Sequence, residues 1–178
     1  MIDYVAFLRG INVGGRRIIK MEELARHFGS FGHAKIRTYI ASGNVLFSSP
    51  EKREPVLTKK IELDLEKALG YRVDVFLRSI GQLQAILDSR PFARAKLSPD
   101  AKAYVTFFNG KPAALPDVPS GSPAEGYRLL RLDERELFSI WFRKPNGGFV
   151  DSAARVEKTM RIPTTTRNWN TIVKILNL

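Results

Sequence analysis

Two hydrophobic periods alternate in a set order along residues 1–78, and few folds accommodate that order. Ile2-Asp3-Tyr4-Val5-Ala6-Phe7-Leu8 is a short, mostly apolar run stopped by Gly10, which reads as a buried strand. Met21, Leu24, Ala25 and Phe28 then recur at i, i+3, i+4 and i+7, the stripe of an amphipathic helix closed by Gly29 and Gly32. Residues 35–40 and Val45-Leu46-Phe47 return to a period of two, and Ser42-Gly43-Asn44 between them supplies the positive-φ residues of a tight hairpin. Pro55 suits the first turn of a second helix, whose buried face is Leu57, Ile61, Leu65, Ala68 and Leu69 and whose end is Gly70. Residues 72–77 form another strand. Strand, helix, strand, strand, helix, strand predicts an α+β domain over 1–78 of the ferredoxin-like, split βαβ kind, with both helices on one face of an antiparallel sheet.

The remainder, 79–178, predicts a second, smaller α+β unit packed against the first. Ser79 and Gln82 make a capping box ahead of the apolar face Ile80, Leu83, Ile86 and Leu87. Residues 103–108 form a strand, and the proline-rich stretch 112–123 forms a loop or extended crossing. Residues 128–132 and 137–142 form a hairpin around Asp133-Glu134-Arg135-Glu136, followed by a turn at Pro145-Asn146-Gly147-Gly148. Asp151 or Ser152 caps a short helix to Met160, and a last helix runs from about Arg167 to Asn177.

Composition narrows the chemistry. The 178 residues include no cysteine and only two histidines, so disulfides, thiolate nucleophiles, iron–sulfur clusters and cysteine-based zinc sites are excluded. No metal or cofactor is expected. With 44% hydrophobic residues the chain can bury a core. It lacks both a secretory-type leader and the roughly 18 unbroken apolar residues of a membrane span, so a soluble cytoplasmic protein with no membrane partner is expected.

Three segments can carry chemistry. Arg9-Gly10-Ile11-Asn12-Val13-Gly14-Gly15 lies where a strand runs into a loop, with Arg16 and Arg17 following. Its glycines expose backbone amides and its side chains add donors, a composition that attracts anions. It matches neither GxxxxGK[ST] nor GxGxxG, and it also reads as a tight turn needing glycine for its backbone angles. Ser42 and Asn44 present a hydroxyl and an amide near that loop, or simply turn a hairpin. In Thr164-Thr165-Thr166-Arg167-Asn168-Trp169-Asn170-Thr171, Thr166 or a neighbour caps the last helix, which places Arg167 and Asn168 at a helix N-terminus suited to phosphate or carboxylate. Trp169, Ile172, Val173 and Leu176 follow helical spacing, so the tryptophan is a core anchor. His27 and His33 read as surface or capping residues, and no carboxylate pair is placed for acid–base work.

These segments as a set resemble the family of domain of unknown function 1697. The resemblance rests on residues 8–15, on Thr38-Tyr39 with Ser42-Gly43-Asn44-Val45, and on residues 166–171, in the same order along the chain. It implies a small, mostly bacterial, cytoplasmic α+β protein with a ferredoxin-like N-terminal part, and it brings no reaction with it.

The net charge of +11 is uneven: +4 over residues 1–50, +1 over 51–90 and +6 over 91–178. The excess coincides with the polar segments, which together would form a basic groove. The best reading is a module that binds a polyanion, RNA or DNA, through that groove, with the exposed face of the ferredoxin-like sheet stacking bases. The alternative is an enzyme or sensor for a small phosphorylated or nucleotide ligand, clamped by Arg9, Asn12, Asn44, Arg167 and Asn168 with Gly14, Gly15, Arg16 and Ser42 around it. A third is an interaction protein whose motifs only fix its fold.

Overall fold

In a computed structural model, which describes residues 1–95, 97–150 and 152–178, the apolar run at the start becomes β1 (Ile2–Leu8). It is followed by α1 (Met21–Ser30), β2 (Ala34–Tyr39), β3 (Asn44–Ser49), α2 (Glu54–Leu69) and β4 (Val75–Ser79). The strands lie in the order β2-β3-β1-β4 and every pairing is antiparallel. Each helix therefore connects two strands that have a third between them. The chain divides into two compact units, Met1–Leu83 and Gln84–Leu178.

The alternation along the strands decides what each sheet face buries. Tyr4, Ala6, Leu8, Val45, Phe47, Val75 and Leu77 share one core with Leu24 and Phe28 of α1 and Leu57, Ile61 and Leu65 of α2. A fully buried side chain of this kind contributes about 1.5–3 kcal/mol relative to an exposed one. The opposite face carries Val5, Phe7, Leu46, Phe76 and Arg78, all buried as well. Burial on both faces explains why residues 2–8 read as a near-continuous apolar run rather than an alternation. It also corrects the expectation of an exposed, base-stacking face on this sheet.

Local chemistry accounts for the boundaries. Gly29 lies inside the last turn of α1 rather than after it, and Gly32, at φ +85°, takes the left-handed position beyond. Pro55 sits in the first turn of α2, and Gly70 ends it at φ 76°. Strand β4 begins at Val75, three residues later than expected, and the Asp74 carbonyl just before it accepts from the Arg9 amide beyond the end of β1 at 3.0 Å. His33 is half-buried rather than a free surface residue: it packs against Phe28 and Phe47, its centroid 4.6 Å from the Phe47 ring.

The remaining elements are α3 (Ile80–Asp88), β5 (Ala101–Phe108), β6 (Ser120–Ser122), β7 (Tyr127–Leu132), β8 (Glu136–Phe142), α4 (Ser152–Met160), β9 (Thr164–Asn168) and α5 (Trp169–Leu176). The capping box before α3 forms, with Ser79 N donating to Gln82 Oε1 at 2.7 Å and Gln82 N to Ser79 Oγ at 3.2 Å. The second sheet is antiparallel in the order β6-β7-β8-β5-β9. The proline-rich stretch is not all loop, since Ser120–Ser122 pairs with β7 as an edge strand. Asp151, one of the two cap candidates for α4, lies outside the described residues. Phe108, Tyr127, Leu129 and Leu137 of the sheet pack with Val156 and Met160 of α4.

The largest departure is at the C-terminus. Residues 164–168 are a strand paired with β5, so the last helix begins at Trp169 rather than Arg167. Asn168, not Thr166, is the N-cap, its Oδ1 accepting from Asn170 N at 2.9 Å. Three consecutive threonines are poor helix formers and good strand formers, which in retrospect favours the ladder.

Candidate functional site

The glycine-rich segment of the first unit builds a small projecting turn. Val13 and Arg16 form a β-bridge closed by Arg16 N donating to the Val13 carbonyl at 3.1 Å, with Gly14 and Gly15 at φ +58° and +71° between them. Two central residues at positive φ define a type I′ turn, which only glycine, asparagine or aspartate adopts readily. Asn12 holds its base: Oδ1 accepts from Ile19 N at 2.8 Å, and Nδ2 donates to the carbonyls of Ile19 and Ala41 at 3.0 and 2.8 Å. Both amide hydrogens are thus committed to backbone. Arg9 pairs with Asp74 at 3.1 Å, and Arg17 lies over the Tyr71 ring at 5.0 Å. Arg16 is exposed at the tip, as is Val13.

Ser42 and Asn44 adjoin this turn. Asn44 is fully buried at the start of β3, and its Nδ2 donates to the Tyr39 carbonyl at 2.9 Å and to Ser42 Oγ at 3.0 Å. Gly43 supplies a carbonyl to Leu8 N at 2.8 Å, and a Cβ added there would stand 3.0 Å from the Leu8 Cβ. Glycine is required here by close approach as well as by its φ of +74°. Arg9, Asn12, Gly14, Gly15, Arg16, Ser42 and Asn44 therefore occupy one end of the first sheet.

Arg167 and Asn168 belong to the second unit, on β9. Arg167 is buried, donating to Thr165 Oγ1 at 2.8 Å and to the Thr166 carbonyl at 3.0 Å, and burial lowers its pKa to about 10. It stays charged at neutral pH. Alternation on β9 puts Thr165 and Arg167 on one face and Thr164, Thr166 and Asn168 on the other. Thr166 Oγ1 hydrogen-bonds Thr106 Oγ1 at 2.8 Å, and Thr164 Oγ1 donates to Glu157 Oε2 at 3.1 Å. The hydroxyls thus join elements of the fold.

A basic site that the residue pattern did not reveal lies elsewhere in the second unit. The turn after α3 and the strands β7 and β8 enclose a cleft of about 820 Å³. Arg90, Arg94, Arg128 and Arg131 line it over an apolar wall of Leu130, Ile140 and Phe142. Arg90 sits at φ +45° just past the end of the helix, and the Arg90 carbonyl accepts from Ala93 N at 3.0 Å. Arg128 and Arg131 are three apart and would face opposite sides of a regular strand. A register shift between Leu129 and Arg131 sets Arg128 opposite Ile140 and Arg131 opposite Phe138, on one face. A bulge is invisible to a reading that assumes strict alternation. The spacing of Arg90 and Arg94 around Pro91 is the one signal that could have marked this site.

Arg131 is held in place. Its Nη2 donates to Ser89 Oγ at 2.8 Å and to Asp133 Oδ2 at 2.6 Å, and its guanidinium lies 4.8 Å from the Phe138 ring centroid. Its buried Nε has no hydrogen-bond partner among the described residues. The guanidinium groups of Arg90, Arg94 and Arg128 have no ion pair or hydrogen bond among the described residues. Among those residues, too, no cluster of three His, Asp or Glu could hold a metal ion, and no helix is long and apolar enough to cross a membrane.

Two antiparallel sheets and five helices among the described residues define a mixed α+β protein, and this fold recurs in a solved structure. The conserved bacterial protein SP0830 from Streptococcus pneumoniae is similar to this chain with a TM-score of 0.70 at 21% identity, over 99% of this chain and 97% of that one. The chain belongs to the family described as protein of unknown function (DUF1697), whose model matches residues 1–138. No curated protein matches the sequence.

Proposed function

We propose that this protein is a binding module for a polyanionic ligand, RNA or DNA, and that the arginine cleft of the second unit is its basic groove. The observation that carries this reading is the set of three guanidinium groups around one concave site that have no ion pair among the described residues. Asp133 offsets only Arg131; the like charges of Arg90, Arg94 and Arg128 repel one another, and the repulsion is relieved when phosphates enter. Arginine also suits the role chemically, because its planar fork pairs two phosphate oxygens at once. The net charge of +11 adds a long-range field of the same sign. A cytoplasmic setting and a ferredoxin-like first unit belong to the same reading; the strand order β2-β3-β1-β4 supports the latter.

The test is the salt dependence of binding to a fluorescent single-stranded 12-mer. Each phosphate contact contributes a slope of about −0.7 in log K against log salt. Arg90→Ala, Arg94→Ala and Arg128→Ala should each weaken binding and reduce the slope by roughly that amount. An unchanged slope in all three would remove the cleft from the interface.

One observation favours a second reading, a small phosphorylated ligand: the cleft volume falls within the roughly 300–1,000 Å³ of small-molecule sites. Nucleoside triphosphate that binds tightly, and that the 12-mer does not displace, would select it.

A further inference from the structure

We infer that the Tyr104–Trp141 ring stack on the second sheet is a base-stacking platform, which makes the ligand of this protein single-stranded nucleic acid; this inference rests on the polyanion reading above. The two rings stand 4.0 Å apart at 25°, on neighbouring strands β5 and β8. Both are half-buried, Trp141 packing on one side against the core around Tyr127, so the stack meets solvent only over its remaining surface. A stacked pair presents π-faces that every nucleobase can extend, whatever its sequence.

The polar residues around the pair form a coherent set. Trp141 is directly opposite Lys102, and Tyr104 is directly opposite Asn168 on β9. Asn168 hydrogen-bonds the Tyr104 hydroxyl, while burial raises the pKa of that phenol. Trp141 Nε1 donates to Ser139 Oγ at 3.1 Å. Both rings therefore have their orientation fixed before any ligand arrives. Asn168 does this while capping α5, so the distinctive Thr-Arg-Asn-Trp-Asn run connects to the platform through one side chain.

Charge at the rim fits a phosphate backbone. Lys102 and Arg143 both approach the Phe149 ring, at 5.1 and 5.9 Å, and Arg143 and Lys144 are exposed at the end of β8. Trp141 and Phe142 are consecutive, so the first faces the platform and the second the arginine cleft. Arg143 and Lys144 follow Phe142 directly in the chain, so exposed basic residues continue β8 beyond the residue that lines the cleft. Duplex DNA, whose bases are already stacked internally, cannot offer them to the platform.

The test uses three fluorescent ligands at one low salt concentration: a dT 12-mer, a 12-mer of abasic phosphodiester units, and a 12-base-pair duplex. The platform predicts that the dT 12-mer binds about tenfold or more tighter than the abasic strand and tighter than the duplex. Tyr104→Leu should bring dT binding to the abasic level and leave abasic binding unchanged, whereas Trp141→Phe, which keeps a ring, should retain most of the preference. Equal binding of the dT and abasic strands by the wild-type protein would overturn the platform and leave the cleft standing. A dT affinity that is undiminished in Arg90→Ala, Arg94→Ala and Arg128→Ala, with the preference over the abasic strand intact, would do the reverse. No binding of any ligand would end both readings.

Discussion

Asn12 and Ala41, 29 positions apart, are joined by a 2.8 Å hydrogen bond from Asn12 Nδ2 to the Ala41 carbonyl. This contact ties the glycine turn after β1 to the hairpin turn between β2 and β3, two segments that carry the family resemblance. Asn12 is also at φ +55°, where asparagine is tolerated better than most residues. It does two things at once: it sits in a left-handed conformation, and it satisfies one backbone donor and two carbonyls.

Asn12→Ala should therefore destabilise the first unit by about 1–3 kcal/mol, through unsatisfied backbone groups and positive-φ strain. Asn12→Asp keeps only the acceptor and should fall between the two. Urea denaturation with an unchanged m-value measures the difference. A stability equal to wild type in Asn12→Ala would show that water replaces the side chain at no cost.

Gly43 and Gly14 both have positive φ and should respond differently to alanine. A Cβ at Gly43 meets Leu8 at 3.0 Å, whereas at Gly14 nothing lies within 4 Å. Gly43→Ala should cost roughly 2–4 kcal/mol from strain plus overpacking. Gly14→Ala should cost about 1 kcal/mol, from the backbone conformation alone. Equal losses in thermal melts would mean that packing at Gly43 relaxes freely.

His33 should make the protein acid-sensitive. Its pKa is lowered first by burial and then by Lys60, with Asp64 opposing them, and Phe28 and Phe47 pack against the ring. The folded state disfavours the imidazolium, so stability is fully present above the unfolded value of 6.5 and declines as pH falls below it, until the folded pKa is reached. The melting temperature of wild type should fall between pH 7.5 and pH 5.5 by more than that of His33→Phe. Parallel declines in the two proteins would assign the effect to other groups.

The cap of α5 offers a separate check. Asn168→Ala should destabilise the second unit by about 0.5–2 kcal/mol, and Asn168→Ser, which keeps a capping oxygen, should recover most of that. Thr166→Val removes only the Thr106 contact and should cost less. If Thr166→Val proved the more damaging in denaturant titrations, Asn168 would not be the dominant cap.

Local chemistry was readable wherever it depends on near neighbours. The helical stripe of Leu57, Ile61 and Leu65, the Gly70 terminus and the Ser79–Gln82 capping box each involve residues within one or two turns. The family resemblance was readable for the same reason, because short runs with unusual backbone demands keep their residue types. Strand β9 was not readable, since Thr164–Asn168 becomes extended only by pairing with β5, some sixty residues earlier.

The sequence by itself determined the alternating element order of the first unit, the absence of thiol chemistry, and a positive charge concentrated outside residues 51–90. It could not determine where that charge gathers. The register shift in β7 turns Arg128 and Arg131 to the same face, and the turn after α3 brings Arg90 and Arg94 to them. Burial on both faces of the first sheet, likewise, is a property of packing, invisible in β1 as a string of apolar letters. Periodicity reports which residues avoid water, whereas a cleft depends on which distant residues end up sharing a face. That is set by pairing register, a long-range quantity that single-residue shifts invert.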